Sequence, residues 1–182
     1  MFRTVAAAIA LFASAAVSAQ APSPGEAMQH DMPPGFKIGF DKVQGPMHIV
    51  ELVPEGETVE AWTKMATLQT FAGGVQRTPE QLLAFIGDGF ARACPGVMRD
   101  PIRAETINGY ANAFMALRCP SNPATGKRED VIFRAIRGES NFYVAQMAVR
   151  YAAPPAEAEA DRRWLRAVLV CDPASKAHPC TR

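Results

Sequence analysis

Net charge is the first thing this sequence lacks: 19 basic residues against 18 acidic ones leave +1 over 182 positions. Nucleic-acid binders take most of their affinity from neutralising phosphates and carry a basic excess for it, so the balance gives no support to that class. Long apolar runs are missing too. The run from Val5 to Val17 falls short of the ~20 residues a transmembrane helix needs. No C-x-x-C pair occurs, which removes dithiol redox chemistry. Gly87 and Gly89 sit inside a helical pattern rather than after a strand, and they lack the G-x-G-x-x-G spacing of a phosphate cradle. The three histidines, His30, His48 and His178, have no evident nucleophile and orienting acid beside them. Gly138-Glu139-Ser140-Asn141-Phe142 breaks the G-x-S-x-G elbow at its last position and reads as a turn. No catalytic residue, metal ligand set or cofactor is therefore assigned.

What is present begins with an export leader. Arg3 precedes the apolar run, and small residues at Val17, Ser18 and Ala19 follow it, so residues 1–19 read as a signal peptide cut before Gln20. No cysteine stands at the cut, which disfavours a lipid-anchored form. Arg3 is the only charge lost with the leader, so the remaining chain is electrically balanced. The expected location is periplasmic or secreted. The expected partner is another envelope protein or a small ligand, with no nucleic acid and no membrane anchor after cleavage. Arginine outnumbers lysine 14 to 5, and its planar fork suits carboxylates of a partner as well as ordinary surface ion pairs.

Export decides how the four cysteines are read, because an even set in an oxidising compartment forms a disulfide framework. Sequence proximity pairs Cys94 with Cys119 and Cys171 with Cys180; two other connectivities are compatible with the sequence. The segment CDPASKAHPC is then a staple for a C-terminal tail. A zinc site would want C-x2-C spacing, and only His178 and Asp172 are at hand to complete one.

Residues 20–35, rich in proline and small polar residues, read as a flexible leader, and 36–182 as a single α+β domain. Phe36, Ile38 and Phe40 alternate with Lys37, Gly39 and Asp41, which predicts a half-buried strand. A Gly45-Pro46 turn leads to a second strand, MHIVELV. A helical turn is expected over 58–63 and a strand over 65–71. Thr78-Pro79-Glu80-Gln81 is a capping box with proline at the first helical position. It opens a helix with Leu82, Leu83, Phe85, Ile86, Phe90 and Ala93 on its core face, and Gly87 and Gly89 within it suggest close approach of another backbone.

Asn108-Gly109 marks a type I′ hairpin, pairing Ile107 with Tyr110, Glu105 with Asn112 and Arg103 with Phe114. One face then carries Ile102, Ala104, Thr106, Ala111, Ala113, Met115 and Leu117, with Cys119 on the same side. The other carries Arg103, Glu105, Tyr110, Asn112 and Phe114. A second hairpin, DVIFRAIR and FYVAQMAVRY, is apolar on both sides and needs cover on both. The helix AEAEADRRWLRAVLV supplies the second cover.

This order of strand, strand, helical turn and strand, helix, hairpin, hairpin, helix resembles the Mog1/PsbP-like family. The resemblance implies an α+β fold: an antiparallel sheet with helices on both faces. The stretch WTKMATLQ (Trp62 to Gln69) is also similar to one in small exported proteobacterial proteins. Members of this fold are mostly accessory or binding proteins, so the resemblance implies binding rather than bond making.

The expected function is therefore that of an exported, non-catalytic binding or accessory protein. Arg103, Tyr110, Asn112 and Phe114 are the candidate binding patch, because arginine and aromatic side chains together compose interface anchors. The competing reading of that face is core beneath the C-terminal helix. The alternative function is a small periplasmic hydrolase whose site gathers scattered acids, Glu51 among them, around His48.

Overall fold

The computed structural model describes residues 25–180, and the predicted signal peptide with its cleavage point lies outside the described residues. In chain order the elements are β1 (Ala27–Gln29), β2 (Phe36–Gln44), β3 (Met47–Pro54), β4 (Lys64–Ala72), α1 (Pro79–Ala93), β5 (Met98–Arg99), β6 (Arg103–Ile107), β7 (Tyr110–Asn122), β8 (Lys127–Arg137), β9 (Asn141–Val149), α2 (Pro155–Ala167) and β10 (Leu169–Cys171). The main sheet runs β2-β3-β4-β9-β8-β7, with β5 and β6 both on the far side of β7. Its neighbours are antiparallel throughout. A helix lies on each face, so the molecule is an α+β protein of the class expected.

Local signals build the parts that position everything else. Thr78 accepts from the Gln81 main-chain N–H while Gln81 returns a bond to the Thr78 N–H, a reciprocal cap that fixes where α1 begins. Asn108 (φ 51°) and Gly109 (φ 79°) take the left-handed conformations that a type I′ turn demands, and the β6–β7 register is the one their spacing predicts. α1 covers the face bearing Ala113, Met115 and Leu117, where Leu83, Phe133 and Trp62 complete the larger core. α2 covers the opposite face, packing Leu165 and Val168 against Leu52, Ala66, Ala145 and Met147.

Six local expectations are corrected. β2 does not alternate uniformly: its register slips between Ile38 and Phe40, so these two side chains fall on opposite faces of an edge strand, and both are exposed, as is Val43. The slip is centred on Gly39, where a Cβ would meet the Val59 and Val53 side chains at 2.9 and 3.0 Å, so a larger residue would have to displace both valines. Residues 58–63 form bends rather than a helical turn, closed by reciprocal main-chain bonds between Thr58 and Ala61. In α1, Phe85 and Ala93 face solvent; Phe85 packs under the Arg77 guanidinium instead of entering the core. At Gly87 the close neighbours are the Arg99 and Met115 side chains, not another backbone. α2 ends at Ala167, and the chain then extends into β10.

The sixth correction bears on the site. The leader read as flexible contains β1, which pairs residue for residue with β10: Ala27 with Cys171, Met28 with Val170, Gln29 with Leu169. Three residues make no stable strand alone. The carboxylate of Glu26 anchors this one, accepting from the main-chain N–H of Glu139 (2.6 Å) and Asn141 (3.3 Å) and from the Tyr143 hydroxyl (2.9 Å).

Candidate functional site

The face carrying Arg103, Tyr110, Asn112 and Phe114 is the α2 face, and its side chains have different fates. Tyr110 and Asn112 are buried, Phe114 is half-buried and Arg103 is exposed. Asn112 accepts from the Nε of Arg134 at 2.8 Å. Arg134 is itself buried, and its Nη1 donates to the carbonyls of Leu165 (2.7 Å), Arg166 (3.0 Å) and Val168 (2.5 Å). These are the carbonyls a helix leaves unsatisfied at its C-terminus, so the arginine closes α2 where the chain turns into β10. Burial lowers the Arg134 pKa to about 10, which leaves the side chain charged at neutral pH. The Phe114 ring has the Arg134 and Arg166 guanidinium groups over it at 5.4 and 5.2 Å, and Arg166 pairs with Glu105 at 2.7 Å. Three of the four candidate residues thus lie beneath or against α2 and the tail, and Arg103 alone keeps a side chain open to solvent.

Tyr110 is covered by the C-terminal loop. The imidazole of His178 stacks on its ring at 4.0 Å between centroids, donates from Nδ1 to the Asn108 carbonyl at 2.9 Å and lies 3.2 Å from a Glu139 carboxylate oxygen. Burial, with the nearby Glu26 charge, pushes the Tyr110 hydroxyl pKa up. The sulfur atoms of Cys171 and Cys180 are at bonding distance, as are those of Cys94 and Cys119, in the pairing expected from proximity. No group of three or more potential metal ligands occurs among the described residues.

The concavity of the α2 face lies elsewhere. α2 packs over Leu52 of β3 and Ala66 of β4 and contributes no residue to a groove of about 840 Å³ that lies between the outer part of β3 and β4 and the Glu26–His30 segment. The register places His48, Thr70 and Tyr143 side by side across β3, β4 and β9, with Val50 and Leu68 forming the next row. Met28 and Met47 add adaptable apolar walls. The volume is within the ~300–1,000 Å³ range typical of ligand pockets. A second, smaller cleft of about 230 Å³ lies between α2 and β7–β8; its arginines are largely occupied, Arg118 by Asp100 and Arg128 by Asp130.

Residues of the hydrolytic alternative are not brought together. His48 and Glu51 are an odd number of positions apart on β3, so their side chains leave opposite faces of the sheet. His48 instead donates to the Asp41 carboxylate at 2.7 Å, with both groups about half-exposed. Glu51 lies on the α1 side, where burial and the nearby Glu60 raise its pKa.

Glu26, Met28, Thr70 and Tyr143 are the groove residues that the sequence pattern did not single out. One signal was there. The apolar end of the last helical pattern, Val168 to Val170, continues past any cap, and a strand at that point needs a partner.

An α+β protein with a helix on each face of an antiparallel sheet, and a groove bounded by its own β1 segment, is the class defined by these features. No protein-family model matches the chain, and no curated protein matches it. Solved structures are similar to it at low identity. A variant of protein Mog1 aligns with 14% identity over 78% of this chain and 81% of its own, at a TM-score of 0.48. The Saccharomyces cerevisiae Ran-binding protein Mog1p aligns with 11% identity over 78% and 85%, also at 0.48. LpqN, involved in cell envelope biogenesis of Mycobacterium tuberculosis, aligns with 15% identity over 80% and 82%, at 0.43.

Proposed function

We propose that this chain is an exported binding protein that holds an apolar ligand, or an apolar part of a partner, in the groove between the β2–β4 sheet face and the Glu26–His30 segment, without making or breaking bonds. The single observation that carries the reading is the bare, mainly apolar sheet face behind β1, a concavity of about 840 Å³ that neither helix fills. Export is supported by the leader-like residues 1–19 and by two cystine bridges, which persist in oxidising compartments. No helix among the described residues is long and apolar enough to cross a membrane. Arg103, exposed at the opposite edge of the same sheet face, is the element of the original patch left to meet a partner.

Titration with the neutral, environment-sensitive dye Nile red tests the proposal. Saturable, blue-shifted fluorescence is expected for the wild-type protein. It should be abolished by Ala72→Trp, which fills the groove from β4. Unsaturable binding, or equal binding by a correctly folded Ala72→Trp protein, would overturn it.

A further inference from the structure

Glu26 lines the groove and is only 7% exposed. Its three hydrogen-bond donors, the Tyr143 hydroxyl and the main-chain N–H groups of Glu139 and Asn141, are all uncharged. No ion pair to it occurs among the described residues, and no lysine or arginine lines the groove. The only bases along the lining are the imidazoles of His30 and His48, and His48 is already turned to Asp41. The neighbouring Tyr110 hydroxyl, which burial, the Glu26 charge and hydrogen bonding hold in its protonated form, is uncharged as well. The groove therefore carries an uncompensated negative charge at one wall of an apolar floor. In a partly dehydrated site such a charge acts far more strongly than in water.

We propose that the groove takes a cationic amphiphile: a single apolar chain laid along Met28, Val50 and Leu68, with a protonated amine or quaternary ammonium head turned toward Glu26. This rests on the groove being a binding site and adds the sign of the ligand's head group. An anionic amphiphile of the same length would bring like charge against Glu26 with no lysine or arginine to offset it, and a neutral one would gain only the apolar contact.

Three probes with the same ten-carbon chain separate these cases: decylammonium, decanol and decanoate, each titrated at pH 8 below its aggregation concentration and read by calorimetry and by amide shifts of Leu68 and Ala72. Decylammonium should bind about tenfold more tightly than decanoate, with decanol between them. Glu26→Gln, which keeps the side-chain shape, should collapse that spread to about twofold. Equal affinities for the three, or tightest binding of decanoate, would overturn the charge assignment while leaving the groove reading standing. No binding of any of the three would overturn the groove reading itself. Should Glu26→Gln fail to fold, the order of the three wild-type affinities decides the matter alone.

Discussion

Arg134 donates from Nη1 to the main-chain carbonyl of Leu165 at 2.7 Å, joining the middle of the sheet to the last turn of α2. The guanidinium also satisfies the carbonyls of Arg166 and Val168 and the amide oxygen of Asn112, so its removal takes the donor from four acceptors, three of them in buried bonds. Arg134→Met keeps the volume and loses the donors. It should lower unfolding free energy by about 3 kcal/mol, measured in urea, and should raise amide exchange over Leu165 to Cys171.

Glu26→Ala tests the anchor of β1. The mutation strands the N–H groups of Glu139 and Asn141 and the hydroxyl of Tyr143, at a cost of about 2 kcal/mol. The decisive reading is local. Amides of Met28 and Val170 should exchange faster while those of Leu117 and Phe133, in the other core, stay protected; uniform loss of protection would contradict a local anchor.

Gly109 has φ +79°, and a Cβ there would meet Nδ1 of His178 at 2.6 Å and the Ala177 carbonyl at 3.0 Å. Gly109→Ala therefore combines backbone strain with displacement of the tail. A loss of about 1–2 kcal/mol is expected, together with loss of the Tyr110–His178 ring stacking, visible as a shift of the Tyr110 ring resonances. The same change at Gly126, where nothing lies within 4 Å of the added atom, should show the strain alone.

Three carboxylates contribute to the acid limb of stability in opposite directions. Hydrogen bonding and charge from Arg118 hold Asp100 below its ordinary 3.8, and bonds from Lys64 and Tyr151 hold Glu157 below 4.5. A carboxylate with a lowered folded-state pKa contributes stability above its unfolded value and loses it as pH falls through the folded one, so both weaken the fold below about pH 4. Burial raises Asp161 above 3.8, and its sign is opposite: protonation relieves it on acidification. Asp100→Asn should flatten the fall in urea midpoint between pH 5 and 3, and Asp161→Asn should steepen it; the reverse pattern would refute these assignments.

The elements legible in the sequence were those whose cause is contained within a few residues. Thr78 to Gln81 carries both halves of its cap, and Asn108-Gly109 dictates a turn type and so a register; the two faces of β7 and the cover over each follow from that register by parity. Gly39 was opaque because the slip it permits depends on Val53 and Val59 pressing on it, and nothing in FKIGFDK reveals that contact. Glu26 was opaque for a stronger reason. Its partners lie at 139, 141 and 143, and a proline-rich stretch with scattered acids has the composition of a tether. The patch of Arg103, Tyr110, Asn112 and Phe114 was correctly placed on one face, but periodicity ranks faces without saying where a helix stops, and the end of α2 is what separates covered sheet from groove.

The pairing of β1 with β10 ties the order of synthesis to the order of assembly. β1 is made before every other described element and must wait, unmatched, until the last of them, β10, has emerged. The wall that β1 lends the groove can be set in place only once β10 exists to receive it.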